Sequence, residues 1–287
     1  MKIIDVWLPS SHELIPGGDE HSGSILSYTE GIETMYDYIL ADPNRYHVKL
    51  GDRIEAIAVD DKRFSPGNTK GDRIPIPLQQ MESAVEQDSR IATRLIAALI
   101  GNHELKHQKF GNLTETYCKN MSILAKRQVF YGTYTCIINV HDHYGLMYRL
   151  WLAHGFGCLQ SNAKDYEQRQ ANMKAQLKNK LRYKAGDCLV MGMGHTHKLL
   201  VVPPTEQLYL SCGDKKLKQH YLRWDGNNDS FINADVRWYF NSGSFLKMYE
   251  DGMVSYSEMA GYDPVELGYI RIKVEDRKIV GIDRVVV

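Results

Sequence analysis

The sequence carries no excess charge of either sign, because its 35 lysines and arginines meet 35 aspartates and glutamates. A chain built to bind nucleic acid over its whole surface would be basic, so any phosphate-bearing partner has to be met locally. Long apolar runs are also missing, and nowhere do the roughly 18 consecutive apolar residues of a membrane helix occur. Met1 to Pro9 includes Asp5 and too short an apolar stretch for a secretory leader. The expectation is a cytoplasmic protein with no membrane partner. Cysteine is sparse: Cys118, Cys136, Cys158, Cys188 and Cys212 are odd in number and contain no Cys-x-x-Cys pair, which argues against a disulfide scaffold or a zinc ribbon. Internal repeats and low-complexity tracts are absent, and with 43% hydrophobic and 24% charged residues the composition excludes disordered, collagen-like and coiled-coil chains.

What is present is a recurring unit, an apolar run that ends in a polar, glycine-containing cluster. It occurs at Glu13 to Pro16 before Gly17-Gly18-Asp19, Tyr46 to Leu50 before Gly51-Asp52, and Leu95 to Ile100 before Gly101-Asn102. It returns at Leu150 to Ala153 before His154-Gly155 and at Cys188 to Met191 before Gly194-His195. Short buried strands that end in loops are how α/β sheets present sites, since the strands are rigid and the loops place side chains. Between them, Leu78, Met81, Val85, Ile91 and Leu95 recur near a period of about 3.6, and 165–184 is rich in helix formers. From about residue 231 the pattern turns mostly β, at Trp238 to Phe240, Met253 to Ser257 and Tyr269 to Val274. Residues 63–77 read as a long loop rich in proline and glycine. The expected organisation is one α/β domain over 1–287.

The polar clusters hold Asp19-Glu20-His21, Gly51-Asp52, Gly101-Asn102-His103-Glu104, His154-Gly155 and Gly194-His195-Thr196-His197. Taken singly, an Asp-x-His or a Gly-Asp is a turn element. Together, Asp19, His21, Asp52, Asn102, His154, His195 and His197 offer carboxylate, amide and imidazole groups suited to divalent Mn, Fe, Zn or Mg. They are too many for one ion, and two metals sharing a bridging carboxylate are the natural arrangement.

In this order the motifs resemble those of the calcineurin-like metallophosphoesterase superfamily, whose pattern reads D-x-H, G-D, G-N-H-[DE], H and G-H-x-H. Asn241-Ser242-Gly243-Ser244 is similar to the N-x-G-S that often follows, and the tail near Gly261-Tyr262-Asp263-Pro264 resembles compact phage and prophage members. The resemblance implies a four-layer sandwich of two mixed sheets flanked by helices. It also implies Asp19, His21 and His197 on a first metal, Asn102, His154 and His195 on a second, and Asp52 between them. His103 would stand beside the phosphate as general acid or transition-state stabiliser, and Glu104 would either orient a histidine or cap a helix. A two-metal site of this kind hydrolyses phosphoesters through a metal-activated water. The implied substrates are nucleotides or nucleic acid, DNA or RNA, cleaved as diesters. The alternatives are a phosphomonoesterase acting on nucleotides or proteins and a catalytically silent binding module on the same fold. The protein-phosphatase variant is weakened because Gly51-Asp52 is followed by Arg53-Ile54-Glu55 where Asp-Arg-Gly would be usual.

Two other patterns need separating from this one. His103-Glu104-Leu105-Lys106-His107 satisfies the zincin H-E-x-x-H, but Gly101-Asn102 is poor helix interior, and Phe110 and Leu113 stand where a metzincin needs Gly and His. His141-Asp142-His143 reads as a hairpin turn between Thr135 to Val140 and Leu146 to Ala153. Trp151 reads as core, and His12, His47, His107 and His220 as surface or hydrogen-bonded residues. Lys164, Arg169, Lys174, Lys178, Lys180, Arg182 and Lys184, with Lys215, Lys216, Lys218 and Arg223 later, form either solvated faces or a track for a nucleic-acid backbone. Tyr183, Tyr221 and Trp224 lie near these runs as candidates for base stacking.

Overall fold

In strand β2 (His12–Gly17), Leu14 and Ile15 are both fully buried yet belong to different hydrophobic clusters. Successive side chains of a strand point to opposite faces, so a strand buried on both faces lies between two packed layers. The same alternation recurs in β7 (Gly145–Ala153), β8 (Val190–Met193) and β12 (Trp238–Ser242). Leu150, Leu152, Val190 and Phe240 enter one cluster, whereas Trp151, Ala153, Met191, Met193 and Tyr239 enter another. The computed structural model describes residues 1–57, 76–107, 109, 111–213, 216–224 and 231–287.

Among the described residues the chain forms an α/β fold with two mixed six-stranded sheets flanked by helices. The first sheet contains β2, β3 (Arg45–Lys49), β4 (Leu95–Ala98), β5 (Phe130–Tyr131), β13 (Gly268–Glu275) and β14 (Lys278–Val286), in the order β14-β13-β2-β3-β4-β5. Its β2 to β5 are parallel, and β13 and β14 are antiparallel. The second contains β1 (Lys2–Trp7), β6 (Thr135–Asp142), β7, β8, β9 (Leu199–Val202) and β12, in the order β1-β6-β7-β8-β12-β9. Both sheets feed one cluster, which holds Leu14, Val48, Ala97 and Ile272 from the first and Ile4, Ile138, Leu150 and Phe240 from the second. The helix α1 (Thr29–Leu40) packs on Ile15 and Tyr269, the one-turn α3 (Asn102–Leu105) follows β4, and α2 (Ile76–Asp88) and α4 (Leu113–Ala125) cover Leu95 and Ala98. On the other sheet α5 (Tyr166–Leu181) lays Met173, Leu177 and Leu181 over Trp151 and Tyr239. Trp151 is therefore core.

All five apolar runs that precede polar clusters include strand residues, and 165–184 is largely α5. The helical period through Leu95 does not persist. The helix α2 stops at Asp88, and a 3-10 turn, Ser89–Ile91, drops Ile91 beneath α1 before β4 begins. Met253 to Ser257 is not a strand. Ser255 Oγ accepts the Glu258 N–H at 3.0 Å and starts the short helix α6 (Tyr256–Met259). Of the expected loop, 63–75 lies outside the described residues, while Ile76 and Pro77 belong to α2 rather than to a loop. His141 and Asp142 end β6, so the hairpin reading of that cluster holds. Lys216 and Lys218 sit on an exposed two-stranded hairpin, β10 (Gln207–Gly213) and β11 (Lys216–Leu222); Lys215 lies outside the described residues.

Candidate metal centre

Strand register places the polar clusters. Gly17 pairs with Lys49 and Lys49 with Ala98, so β2, β3 and β4 release the chain at one level into Asp19, Asp52 and Asn102. In the other sheet Ala153 pairs with Met193 and Met193 with Asn241, which brings His154 and Gly194-His195 level with Ser242. Hydrogen bonds join the two rows. His154 Nδ1 lies 2.8 Å from the Leu50 carbonyl, the His195 N–H donates to Asp19 Oδ2 at 2.8 Å, and Ser244 Oγ donates to the Asp19 carbonyl at 2.9 Å.

All eight residues expected at the site meet there. Asp19, His21 and His197 form one group able to hold a metal ion, and Asp52, His154 and His195 form another, with ligand atoms in each group within 4.8 Å of one another. Asn102 Oδ1 lies 2.9 Å from His154 Nε2, which adds an amide oxygen to the second group. Asp52 Oδ2 lies 3.4 Å from His154 Nε2 and 4.0 Å from His21 Nε2, between the groups. His103 joins His21 and Asp52 in a third group, so its geometry also suits a ligand, a role the sequence did not single out.

The donor atoms suit a cation. Asp19 Oδ1 and His21 Nε2 are buried without a hydrogen-bond partner, a costly state in a protein interior. Carbonyl and carboxylate contacts at Nδ1 of His154 and His21 make those nitrogens donors and leave Nε2 for a metal. Burial works against charge on Asp52, yet His154 and His103 hold it well below the usual carboxylate range. Burial likewise opposes charge on His21, but Glu55 and then Asp52 and Asp19 outweigh it and raise the pKa to about 9. His154 is raised to about 9 against burial, chiefly by Asp52. A cation entering this set displaces protons from the rings and takes over their interactions with the carboxylates.

The backbone is bent to fit. Asp19, His21, Asp52, His195 and His197 all have positive φ, between 47° and 70°. Each such L-residue costs roughly 1–2 kcal/mol, and strain of this kind gathers where a function requires it. Gly101 is where the loops come closest, since a Cβ there would stand 2.0 Å from Asp52 Oδ1.

Several residues around the ligands support them, Glu104 from within a motif and the others from outside any. Glu55 Oε2 lies 2.7 Å from His21 Nδ1, and its carbonyl meets His103 Nδ1. Glu104 acts on backbone: Oε1 accepts the N–H groups of Arg53 and Ile54 at 2.7 and 3.2 Å, and Oε2 accepts that of Gly101 at 2.9 Å. It fastens the Asn102 loop to the Asp52 loop, and burial followed by Asp52 raises its pKa to about 7. Beneath them lies a buried ionic network. Lys49 Nζ contacts Glu20 Oε1 at 2.7 Å and Asp88 Oδ2 at 3.2 Å, and Arg53 Nε contacts Glu20 Oε2 at 2.8 Å. The one sequence signal for this network is position, because Glu20 and Arg53 flank the ligands directly.

A cleft of about 1400 Å³ opens from His21, Asp52, Asn102 and His103 toward Tyr166, Arg169 and Lys198, and its far wall is formed by 246–266. Of the basic 164–184 run only Arg169 lines it. Lys178 is paired with Asp235 at 2.6 Å, and Lys180 and Lys184 lie over the Phe156 ring.

No protein-family model matches the chain, and no curated protein matches it. Among solved structures, a Plasmodium chain described as "GAP50 the anchor in the inner membrane complex of Plasmodium" is similar at a TM-score of 0.39 and 8% identity, over 96% of this chain and 89% of that one. A likeness that remote carries no argument.

Proposed function

We propose that the chain is a metal-dependent phosphoester hydrolase of the metallophosphoesterase kind, a phosphodiesterase or nuclease acting on nucleotides or nucleic acid with two divalent cations, Mn²⁺ first among them. The observation that carries this reading is the placement of Asp52 Oδ2 between two ligand groups, 3.4 Å from His154 Nε2 and 4.0 Å from His21 Nε2. The order of the motifs along the chain supports it. On this reading the shared core between the sheets and the helical clusters beyond them belong to a four-layer sandwich over 1–287.

Bound cations would supply Lewis-acid charge to the phosphoryl oxygens and an activated water as nucleophile. Asp19, His21 and His197 would hold one, Asn102, His154 and His195 the other, and Asp52 would serve both. His103, with Nδ1 on the Glu55 carbonyl, turns Nε2 toward Asp52 at 3.9 Å and lines the cleft. From there it hydrogen-bonds the leaving oxygen or neutralises phosphoryl charge, a contribution of about 10²–10⁴-fold. No serine or cysteine nucleophile is required.

The test is hydrolysis of bis(p-nitrophenyl) phosphate by Mn²⁺-loaded protein, with metal content read by atomic emission. Turnover should vanish on chelation and return with Mn²⁺. His103→Ala should lose most of kcat and keep its metal, and Asp52→Ala should lose both. Full turnover in Asp52→Ala would overturn the reading.

A further inference from the structure

We propose that Arg169, with Lys198 beside it, forms a second anion-binding subsite in the cleft, and that the substrate is a small phosphoester carrying one further anionic group. This rests on the reading of the metal centre as a phosphoesterase site. The cleft, at about 1400 Å³, is larger than a typical small-ligand site of roughly 300–1,000 Å³, so it admits far more than one phosphoryl group. Among the described residues its wall offers little lysine or arginine charge beyond this pair.

The Arg169 guanidinium is poorly engaged. Its Nη1 lies 3.7 Å from Asp263 Oδ2, beyond hydrogen-bond distance, and the Asp263 side chain is 82% exposed. An ion pair that open contributes little, so a substrate anion can replace it. Arg169 Nε is buried and has no hydrogen-bond partner, and the same is true of Thr196 Oγ1 on the cleft wall. Lys198 directly follows the ligand His197 and lies within electrostatic reach of both Asp263 and Arg169. Asp263 therefore stands where the second anion would bind, and a planar guanidinium can receive a phosphate or carboxylate through two parallel N–H bonds.

The surroundings limit the substrate's size. A polynucleotide backbone requires a row of cations, but Lys178, Lys180 and Lys184 are engaged elsewhere, and Asp263 and Glu266 line the same wall. One extra anion is matched, whereas a long polyanion meets no row of cations among the described residues.

Two p-nitrophenyl esters of thymidine 5′-phosphate, with and without a 3′-phosphate, differ only in that group. The 3′-phosphate should lower KM about tenfold or more in the wild type, and Arg169→Ala should erase that difference in KM. Asp263→Asn should enlarge it. Calorimetric binding of thymidine 3′,5′-bisphosphate against thymidine 5′-monophosphate to Mn²⁺-loaded protein should show the same Arg169 dependence without turnover. Esters hydrolysed equally well, with bisphosphate binding unchanged in Arg169→Ala, would overturn the subsite and leave the hydrolase. Arg169-dependent binding with no hydrolysis would overturn the hydrolase and leave the subsite. Tight binding of a single-stranded oligonucleotide that survives Arg169→Ala would also overturn the proposal.

Discussion

The guanidinium of Arg53 and the carboxylate of Asp88 face each other in a two-pronged ion pair, with Nε 2.8 Å from Oδ2 and Nη2 2.8 Å from Oδ1. Both side chains are buried. Asp88 closes α2 and Arg53 follows Asp52, so the end of a helix is fastened to the loop that carries the central carboxylate of the site. Tyr36 and Tyr117 donate to Asp88 at 2.5 and 2.6 Å, and Lys49 reaches it at 3.2 Å. Burial alone would raise the pKa of Asp88, but Arg53 and Lys49 hold it below the usual carboxylate range.

Asp88→Asn should therefore destabilise the protein by about 3–5 kcal/mol, because it leaves buried cations undercompensated. Urea unfolding checks this. The contrast is Arg90→Ala, which removes a solvent-exposed pair with Glu33 and Asp37 and should cost under about 1 kcal/mol. Equal losses in the two variants would show that the buried network is not a structural unit.

Glu55→Ala removes the carboxylate that holds His21 Nδ1 at 2.7 Å. Loss of such an outer partner typically lowers metal affinity about 10–100-fold, since the ring is no longer held with Nε2 toward the metal. Titration with Mn²⁺ followed by calorimetry measures it. An affinity within twofold of the wild type would remove Glu55 from the site.

The candidate ligand positions were legible in the sequence because each sits one to four residues past a strand, where chain order alone fixes its place. Asp19, Asp52, Asn102, His154 and His195 are all of this kind. The supporting groups were not legible, because what defines them is contact across the fold. Asp88 lies 35 residues from Arg53, and neither residue type nor spacing marks the pair. For Glu104 the helix-capping alternative was legible and is met by the Gly101 N–H, whereas its bonds to the backbone N–H groups of Arg53 and Ile54, about 50 residues away, were not. In the fold, two-sided burial hid the end of α2. Leu95 continues the helical period by chance, whereas its neighbours belong to a parallel strand apolar on both faces.

Gly101→Ala tests the close approach of the ligand loops. The added Cβ would stand 2.0 Å from Asp52 Oδ1 and 2.2 Å from the Asp52 backbone nitrogen, so the loops must separate. Stability should fall by about 1–3 kcal/mol, and the separated loops should no longer retain a full complement of metal. Thermal unfolding and atomic emission read the two effects. Gly281→Ala, where a Cβ meets nothing within 4 Å, is the control and should keep its metal content.

His47 predicts the acid limb of stability. It is fully buried on β3, with Nδ1 2.7 Å from the Ile15 carbonyl and no partner at Nε2. Burial, then the charge of Lys49, lowers its pKa to about 3. In the unfolded chain the ring titrates near 6.5. Between these values the unfolded state binds one more proton than the native state, so stability is intact above about pH 6.5. It then falls by up to about 1.4 kcal/mol per pH unit as the pH drops toward 3. Asp88, whose folded pKa is depressed, begins to lose its contribution below about pH 5, where an unfolded carboxylate begins to protonate. Across pH 6.5 to 4.5 His47 is opposed by Glu104, whose carboxyl, raised to about 7 by burial and Asp52, takes up its proton in the native state first. His21 and His154, raised to about 9, act in the opposite sense and only above pH 6.5. His47→Gln keeps a donor for the Ile15 carbonyl but cannot titrate. Urea unfolding of both proteins across pH 6.5 to 4.5 should give a slope lower by close to one proton for the variant, whatever its stability at pH 7. Parallel slopes would mean that His47 is protonated in the native state.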